Sequence, residues 1–540
     1  MTFRITLFTL LLSASYMKGQ TGVSTADFNG ADKLISNFLS TWEIPGAGVA
    51  ITKNGKLIYN KGFGFSDRAN AEPAKPYNIY RIASVSKSIT SIAIMKLAEE
   101  GRLSLTDRVF GAGAFLDQSY YLHAISDDRI YSITIQQLLE HTSGWDRAVP
   151  CDGYSHSDPP FFPLHVAAVV GESNPVSDCA LIKFSLMKGL DKNPGTAYAY
   201  SNIGYLILGK VIEKITGMSY EKYVKESIFK PLSITDIHLA KNLSSDKQER
   251  EAEYNNKTIT SSCYGDDVKA PWQYGGFNIE AMHAHGGWIA SAADLTKLML
   301  AVDGFSSSPN ILTDASIQQM SKPCSVNKSY AKGWSVNAGN NWWHTGSLNG
   351  TSAFICRTNN GYTWAFLFNS RSDNSSAFWN ALDRLPWECL AAMSSIPDVN
   401  LFPPTKNVSR ISSSPLSPGS VYLGWKNGNG NGRIILASED SLLTEFPTDG
   451  TNYTANKALG NGAVLGEKAF VVYNGTSNNC TVTNLQPEKK YYIYAFEYYK
   501  NKDTSNNAVY KLGNNGKAII TTEPVYVKKG KPEDLSPASP

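Results

Sequence analysis

Hydrophobic positions recur with two different periods between residues 26 and 392. Residues 48–59 alternate as two short strands around Asn54-Gly55, which is a strong signal for a two-residue hairpin turn. Residues 88–97 place their apolar side chains at helical spacing instead. A strand hairpin followed by a helix is typical of a domain with mixed α and β structure.

Later segments continue this alternation. Residues 204–216 form an apolar helical pattern that Gly217 closes, and residues 294–302 form another. Residues 352–357 are strand-like. Together these patterns predict one mixed α and β domain over residues 26–395.

The composition changes between residues 396 and 418, where proline, serine and asparagine are frequent, and this stretch is predicted to be a linker. Beyond it the helical period disappears, and short β-rich runs alternate with turns rich in glycine and asparagine. Such spacing predicts an all-β antiparallel sandwich over residues 419–524. The last residues, 525–540, are predicted to be a disordered tail.

Composition excludes several classes of protein. The 540 residues suggest roughly three or four packing units at about 150 residues per domain. With 42% hydrophobic residues, the chain is too apolar to be mainly disordered. A net charge of +3 supplies no basic field, so no nucleic-acid partner is expected. The chain also lacks a run of about eighteen apolar residues, so no transmembrane segment is expected.

The first twenty residues carry a separate signal. Arg4 supplies positive charge, residues 5–12 form a short apolar stretch, and small residues follow. This is the order of a secretory signal peptide, and the apolar stretch is too short to span a bilayer. We expect cleavage between Ser13 and Gln20 and an exported protein, either secreted or periplasmic.

The seven cysteines, an odd number, fit an oxidising compartment only loosely. Buried thiols with at most one bridge are the favoured interpretation. If a disulfide forms, Cys151 with Cys179 is the first candidate and Cys324 with Cys356 the second. The Cys-x-x-Cys spacing of zinc ribbons and thioredoxin-type sites does not occur.

Ser84 and Lys87 stand at the start of the helix that follows the hairpin. A serine hydroxyl is a weak nucleophile until a base lies within hydrogen-bond reach, and residues three apart on a helix share one face. The helix N-terminus disfavours positive charge, so the pKa of a lysine there can fall well below about 10.4. The spacing itself is common, since Ser185 and Lys188 repeat it. Only Ser84 follows a hairpin and opens a long apolar helix.

Two more polar motifs follow in order. Tyr200 and Asn202 form a Tyr-x-Asn motif. The third motif consists of His344, Thr345, Gly346 and Ser347. With Ser84-x-x-Lys87, these motifs resemble those of the class C β-lactamase, penicillin-binding protein and D-aminopeptidase family of serine hydrolases.

The resemblance extends over residues 28–390. Further segments that resemble the family are residues 45–46, 62–64, 138–144, 193–195, 286–288 and 293–295. The resemblance implies an α+β fold, in which an antiparallel sheet is flanked by helices and accompanied by a helical subdomain.

The resemblance also implies roles. Ser84 would attack a carbonyl group and become acylated, and Lys87 and Tyr200 would share the proton transfers. Asn202 would orient Lys87 or hold the substrate amide. The backbone N–H groups of Ser84 and Ser347 would form an oxyanion hole, and the third motif would line the strand where substrate docks. Water would complete the cycle, so no cofactor and no metal are expected.

His344 departs from the pattern of the family's β-lactamases, which have lysine at this position. Lysine is a fixed cation near a substrate carboxylate, whereas histidine is mostly neutral at pH 7. The His-Thr-Gly motif resembles the D-alanyl-D-alanine carboxypeptidase, D-aminopeptidase and some esterase branches. It favours a small amide, ester or D-amino-acid peptide as substrate. A true β-lactamase is the alternative, and slow acylation by penicillins is expected.

Other chemistry is less well supported. The Gly-x-Ser-x-Gly elbow does not occur, and His283-x-His285 has no carboxylate at metal-ligand spacing. Residues 285–287 are interpreted as the end of a strand beside the site, and His141 as a buried structural histidine. The rival from another class is a non-catalytic penicillin-binding or adhesion protein.

The C-terminal segment has its own resemblance. A Leu-x-Pro-x-x-x-Tyr motif ending at Tyr491, with Trp425 upstream, resembles the fibronectin type III pattern and its tyrosine corner. This implies a fibronectin III-like sandwich that acts as a spacer or makes cell-surface or carbohydrate contacts. Residues 1–395 alone are expected to keep the activity.

Overall fold

The computed structural model describes residues 20–23, 25–372, 375–500, 502–504 and 507–524. The predicted signal peptide, apart from Gln20, and the predicted tail lie outside these residues. The chain divides into two units, with the boundary between Phe402 and Pro403. Within the described part of the chain, no helix has the length and apolar character needed to cross a membrane.

The first unit contains thirteen described strands, eight of which form its main antiparallel sheet. Its described strands are β1 (Thr21–Gly22), β2 (Gly46–Lys53), β3 (Lys56–Asp67), β4 (Glu72–Pro73), β5 (Tyr80–Arg81), β6 (His238–Leu239), β7 (Ile259–Ser262), β8 (Gly265–Pro271), β9 (Trp288–Ala290), β10 (Ser335–Val336), β11 (Trp342–Leu348), β12 (Thr351–Arg357) and β13 (Tyr362–Phe368). The main sheet has eight strands in the order β1-β3-β2-β13-β12-β11-β10, and β4 pairs with β3.

Helices accompany this sheet. They are α1 (Asn29–Thr41), α2 (Ser86–Glu99), α3 (Ser119–Leu122), α4 (Ile135–Leu139), α5 (Pro163–Val170), α6 (Asp178–Lys188), α7 (Asn202–Thr216), α8 (Tyr220–Val224), α9 (Ala292–Leu300), α10 (Asp314–Ser321) and α11 (Ser375–Ala391). Helices α3 to α8 lie between β5 and β6 in the chain and make up a helical region. The predicted α+β fold is confirmed at this level.

The predicted hairpin is confirmed. β2 and β3 pair up to Lys53 opposite Lys56, with Asn54 and Gly55 in the turn. Both turn residues have positive φ, 47° and 80°, which asparagine and glycine tolerate better than other residues. β3 continues to Asp67, beyond the predicted end of the second strand.

The centre of the sheet is the core of this unit. β2, β12 and β13 are buried along almost their whole length. The ring of Phe38 on α1 lies 5.6 Å from that of Phe368 on β13, and the ring of Trp387 on α11 lies 4.9 Å from that of Trp364. Burial of a side chain such as Phe38 or Phe368 contributes about 1.5–3 kcal/mol.

The predicted helices are also confirmed. The predicted segment 88–97 lies within α2, and segment 204–216 lies within α7. Gly217 ends α7 in the left-handed conformation, with φ of 67°. Segment 294–302 corresponds to α9, which begins two residues earlier because the Ser291 side chain caps it.

Two predictions in this unit are wrong. All seven cysteines are free thiols, so neither Cys151 with Cys179 nor Cys324 with Cys356 forms a disulfide. Cys324 and Cys356 are buried as small apolar side chains. Residues 285–287 precede β9 rather than end a strand, because the chain enters them from a 3₁₀ turn at Ile279–Met282.

The second unit is all β among its described residues, apart from a 3₁₀ turn at Lys502–Thr504. Its strands are β14 (Ser409–Ser417), β15 (Ser420–Lys426), β16 (Gly432–Ser438), β17 (Val464–Leu465), β18 (Ala469–Gly475), β19 (Asn479–Val482), β20 (Lys490–Tyr499), β21 (Val509–Tyr510) and β22 (Gly516–Thr521). They form a three-stranded sheet, β14-β15-β19, and a six-stranded sheet with the path β17-β18-β16-β20-β21, in which β22 also pairs with β20. Trp425, Ile435 and Tyr491 belong to one buried cluster.

The predicted linker is structured at both ends. Asp398 pairs with Lys56, and the Leu401 N–H donates to the carbonyl of Leu57, so the first unit continues past residue 395. Residues 409–417 form β14 instead of a linker. This strand lies at the edge of its sheet with almost every side chain exposed, so proline and serine are tolerated and no hydrophobic alternation marks it.

Candidate active site

Ser84 lies in a sharp turn between β5 and α2. The preceding Ala83 has a φ of 47°, a left-handed conformation that an alanine seldom adopts. A 3₁₀ turn over Ala83–Val85 leads directly into α2. Ala83 and Val85 are buried, whereas Ser84 keeps part of its surface. The turn therefore presents the hydroxyl at the start of a helix, where a substrate can reach it.

The Lys87 ammonium group is enclosed by three oxygen atoms. Its Nζ lies 3.2 Å from Ser84 Oγ, 2.8 Å from Asn202 Oδ1 and 2.8 Å from the carbonyl oxygen of His285. The residue has no exposed surface. Burial lowers the pKa of Lys87 well below its ordinary value, and the charge of Arg147 lowers it further.

Asp158 sets the orientation of the Asn202 amide. The Nδ2 of Asn202 donates to Asp158 Oδ2 over 2.7 Å, so its Oδ1 must face Lys87. Asp158 is buried, and burial raises the pKa of its carboxyl group. Ser201 caps α7 by accepting from the Gly204 N–H, which fixes Asn202 in the first turn of the helix.

These contacts determine where the lone pair of a neutral Lys87 points. A neutral amine has two N–H donors and one lone pair. Asn202 Oδ1 and the His285 carbonyl can only accept, so they take the two N–H groups. The lone pair is left facing Ser84 Oγ, the third neighbour. The arrangement is that of a nucleophile with a positioned base.

Tyr200 completes the group around Ser84. Lys87 Nζ lies 4.8 Å from the centre of the Tyr200 ring, and the ring of His141 lies 4.3 Å from it. Burial raises the pKa of the Tyr200 phenol above its ordinary value, while a hydrogen bond with Ser84 and the charge of Arg147 lower it. The hydroxyl, the amine and the phenol therefore meet at one place.

A chain of hydrogen bonds orients His344, and burial keeps its ring neutral. The Ser201 N–H donates to Nδ1 of His141, whose Nε2 lies 3.1 Å from the Tyr330 hydroxyl. That hydroxyl lies 3.4 Å from His344 Nε2, and His344 Nδ1 lies 2.6 Å from the carbonyl of Thr345. Because a carbonyl only accepts, His344 carries its proton on Nδ1, and Tyr330 donates to Nε2. Both rings are buried, and burial lowers the pKa of His344 to about 3.

β11 brings the third motif beside Ser84. A Cβ atom on Gly346 would lie 2.1 Å from the carbonyl oxygen of Ile82, so only glycine allows this approach. The Thr345 side chain is exposed, and Ser347 Oγ accepts from Arg371 Nη1 over 3.3 Å. The structure thus places Thr345, Gly346 and Ser347 along the strand next to the turn that carries Ser84.

The comparison with protein families agrees with this geometry. The sequence model described as "Beta-lactamase" matches residues 31–385. The chain belongs to the beta-lactamase family. Proteins of this fold family are serine hydrolases.

Individual relatives of this family cover the chain in part. "Protein flp" of Staphylococcus aureus strain N315 is 35% identical over 221 residues, 41% of this chain and 40% of that protein. "Putative penicillin-binding protein PbpX" of Bacillus subtilis strain 168 is 30% identical over 219 residues, 40% of this chain and 46% of that protein. The chain therefore matches less than half the length of either curated relative.

A solved structure extends the likeness of fold. The D-amino acid amidase from Ochrobactrum anthropi SV3, in complex with L-phenylalanine amide, aligns with a TM-score of 0.52. The alignment covers 68% of this chain and 98% of the amidase, at 20% sequence identity. This likeness supports the beta-lactamase fold of the first unit.

The His285 carbonyl, which accepts from Lys87, lies in the segment 285–287 that is predicted to be beside the site. Sequence reasoning missed three side chains instead. Asp158 orients Asn202, Arg147 lies 4.6 Å above the Tyr200 ring, and Tyr330 links the two histidines. No spacing in the sequence marks them. The only available signal was position, because Arg147 follows the family-like segment 138–144 closely.

Asp158 is expected to act as a positioning residue. Asp158→Ala should lower kcat/KM about 10- to 100-fold, because the Asn202 amide loses the partner that turns its oxygen towards Lys87. Asp158→Asn keeps an acceptor and should retain most of the activity. In the Asp158→Asn variant, the acid limb of the pH profile of kcat/KM should move to lower pH. The reason is that the Asp158 charge raises the pKa of Lys87, whose neutral amine is the form expected to act as the base.

The measurement is the pH profile of kcat/KM for an ester substrate. Asp314→Asn, a change of an exposed aspartate on α10, is the matched control and should leave the profile unchanged. Equal losses in Asp158→Ala and Asp158→Asn would contradict the positioning role.

Proposed function

We propose that this protein is a serine hydrolase that forms an acyl-enzyme on Ser84 from a small amide, an ester or a D-amino-acid peptide. The observation that carries the proposal is the 3.2 Å contact between Ser84 Oγ and the buried Lys87 Nζ, whose remaining neighbours can only accept. Such a lysine is a base poised to take the proton of the attacking hydroxyl.

In the acylation step, Ser84 Oγ bonds to the substrate carbonyl carbon and passes its proton to Lys87. The carbonyl oxygen becomes an oxyanion, which the backbone N–H groups of Ser84 and Ser347 would stabilise. Tyr200, in contact with both Ser84 and Lys87, relays a proton to the leaving amine or alcohol. The bond to the leaving group then breaks, and the acyl group stays on Ser84.

In the second step, water replaces the leaving group. The Tyr200–Lys87 pair takes a proton from the water as its oxygen attacks the acyl carbonyl carbon. The bond to Ser84 Oγ breaks, Ser84 recovers its proton, and the carboxylic acid product departs. The side chains of the chain itself supply every proton transfer in this scheme.

The His-Thr-Gly motif supports carboxypeptidase, aminopeptidase or esterase substrates, and the neutral state of His344 disfavours β-lactams, which the family's lysine would hold by their carboxylate. A lysine at this position would present a cation to a substrate carboxylate, whereas a histidine with a pKa of about 3 carries no charge at neutral pH. The similarity to a D-amino acid amidase points to the same class of substrates. A true β-lactamase is the second candidate, and penicillins would acylate Ser84 slowly.

A substrate panel tests the proposal. D-alanyl dipeptides, D-amino-acid amides, short acyl esters and nitrocefin would be incubated with the protein, and mass spectrometry would follow adducts formed by a penicillin and by a fluorophosphonate. We expect an adduct on Ser84 and turnover of at least one ester or D-amino-acid amide. Absence of adduct and turnover would favour a non-catalytic binding or adhesion protein, and fast nitrocefin hydrolysis would favour a β-lactamase.

We also propose that the protein is exported and that its second unit is fibronectin III-like. The signal-like N-terminus supports secretion or a periplasmic location. The buried Tyr491 accepts a hydrogen bond at its hydroxyl from the Gln486 N–H, 2.9 Å away, as in a tyrosine corner. We propose that this unit is a spacer or that it makes surface or carbohydrate contacts.

Truncation should separate the roles of the two units. A chain that ends at Phe402 keeps the contacts of Asp398 and Leu401 with β3 and should retain kcat/KM within about threefold. A chain that ends at Ser395 loses them and should unfold about 2–6 °C lower in a thermal melt. Loss of turnover in a folded chain ending at Phe402 would contradict the proposal that the site lies in the first unit alone.

A further inference from the structure

Arg147 presents a positive charge beside the proposed nucleophile. Its guanidinium carbon lies 4.6 Å from the centre of the Tyr200 ring, and Lys87 Nζ lies 4.8 Å from the same centre. The Arg147 side chain is 48% exposed. In the described part of the chain, none of its guanidinium N–H donors makes a hydrogen bond. A guanidinium stacked on a ring keeps its in-plane donors available to another group.

Asp158 forms a long ion pair with Arg147 but takes none of its N–H donors. Its Oδ2 lies 3.8 Å from Arg147 Nη1, which is within ion-pair range and beyond hydrogen-bond distance. The same oxygen accepts from Asn202 over 2.7 Å, so the carboxylate is directed into the site. Asp158 is only 7% exposed at its side chain, whereas the Arg147 side chain above the Tyr200 ring is about half exposed. The guanidinium donors of Arg147 therefore stay accessible, while the nearer Asp158 oxygen accepts from Asn202.

Three other basic residues of the site either have hydrogen-bond partners within the protein or are neutral. Lys87 is enclosed by three oxygens, and His344 is neutral with a pKa of about 3. Arg371 donates to Ser347 Oγ and, over 2.6 Å, to Asn349 Oδ1. Among these groups, Arg147 is the cation that can offer two parallel N–H donors to an incoming anion.

We propose that Arg147 binds a carboxylate group of the substrate and makes this hydrolase selective for anionic esters or amides. This inference rests on the proposed function and adds the charge of the substrate to it. A planar guanidinium matches both oxygens of a carboxylate, which gives geometric as well as electrostatic selection. Arg147 would supply the anchoring cation that the neutral His344 does not.

Matched substrate pairs test the inference. The first pair, the 4-nitrophenyl monoester of glutaric acid and its methyl ester, places the carboxylate in the acyl half. The second pair, an acyl-D-alanyl-D-alanine and its C-terminal amide, places the carboxylate in the leaving half. The measured quantity is the ratio of kcat/KM for the anionic member to that for the neutral member, in the full chain and in its variants.

We expect a ratio well above one for one of the pairs, which identifies the half that carries the carboxylate. Arg147→Gln should reduce this ratio about 10- to 100-fold, and Arg147→Lys should reduce it less because the charge remains. Arg147→Glu should bring the ratio below one. Arg384→Gln, on the exposed side of α11, is the matched control and should leave the ratio unchanged.

Each negative result of this experiment has a distinct interpretation. Turnover of both members of both pairs at equal efficiency overturns the inference and leaves the proposed function standing. A ratio that Arg147→Gln does not change overturns it as well. A wild-type protein that turns over no member of either pair and shows no adduct on Ser84 overturns the proposed function and this inference together.

Discussion

Replacement of Ser84 by alanine is expected to abolish both turnover and covalent labelling. The substitution removes the only oxygen atom that Lys87 can activate in the described geometry, since its two other neighbours are an amide and a carbonyl oxygen. Loss of a serine nucleophile costs about 10⁴- to 10⁶-fold in kcat, and the residual rate comes from binding and the oxyanion hole. Steady-state kinetics and intact-mass analysis after fluorophosphonate treatment measure the two effects.

Ser325→Ala is the matched control for this substitution. Ser325 and Lys328 share the Ser-x-x-Lys spacing, but Ser325 is exposed and follows α10 rather than preceding a helix. The control should keep full activity and the same adduct as the wild-type protein. A Ser84→Ala variant that still accumulates the adduct would show that another residue is acylated, and the assignment of the nucleophile would be wrong.

The contrast between Ser84-x-x-Lys87 and Ser325-x-x-Lys328 illustrates how far local sequence determines this site. The hairpin and α2 could be predicted because each depends on neighbours in the chain: positive φ at Asn54 and Gly55, and apolar side chains at helical spacing. The placement of Ser84 after that hairpin separated it from other Ser-x-x-Lys pairs. Local pattern was therefore sufficient to select the serine.

The approach of β11 to Ser84 depends on the sheet and could not be calculated from spacing. β11 follows β12 in the order of the sheet, and Gly346 is the residue that allows contact with Ile82. Only the family resemblance connected the third motif with Ser84 in advance. Spacing along the chain predicts which strands pair in a hairpin, but it does not place β11 beside the turn that carries Ser84.

Asp158 and Arg147 escaped prediction for the same reason. Their partners, Asn202 and Tyr200, are more than forty residues away, and each contact is made by a side chain from a loop. A lone aspartate or arginine in a loop is most often a solvated surface residue. β14 was not predicted for a different reason. An exposed edge strand has no buried face, so its sequence shows no alternation of hydrophobic and polar residues.

The largest remaining effect is expected at Lys87, where two substitutions separate basicity from charge. Lys87→Met keeps the length of the side chain and removes the amine, and it should lower kcat/KM about 10²- to 10⁴-fold. Lys87→Arg keeps a positive charge but cannot lose its proton near neutral pH, so it should be about as inactive as the methionine variant. Lys96→Arg, further along α2, is the matched control and should retain activity.

The pH profile of the wild-type protein gives the sign of the same argument. Burial disfavours the ammonium form and lowers the pKa of Lys87, so the neutral amine persists to lower pH than in a free lysine. Because the neutral form is the base, kcat/KM should rise with pH through this lowered pKa and level off well below about 10.4. Substantial activity in Lys87→Arg, with the acid limb unchanged, would mean that Lys87 acts through its charge, and the proton of Ser84 would have to leave by way of Tyr200.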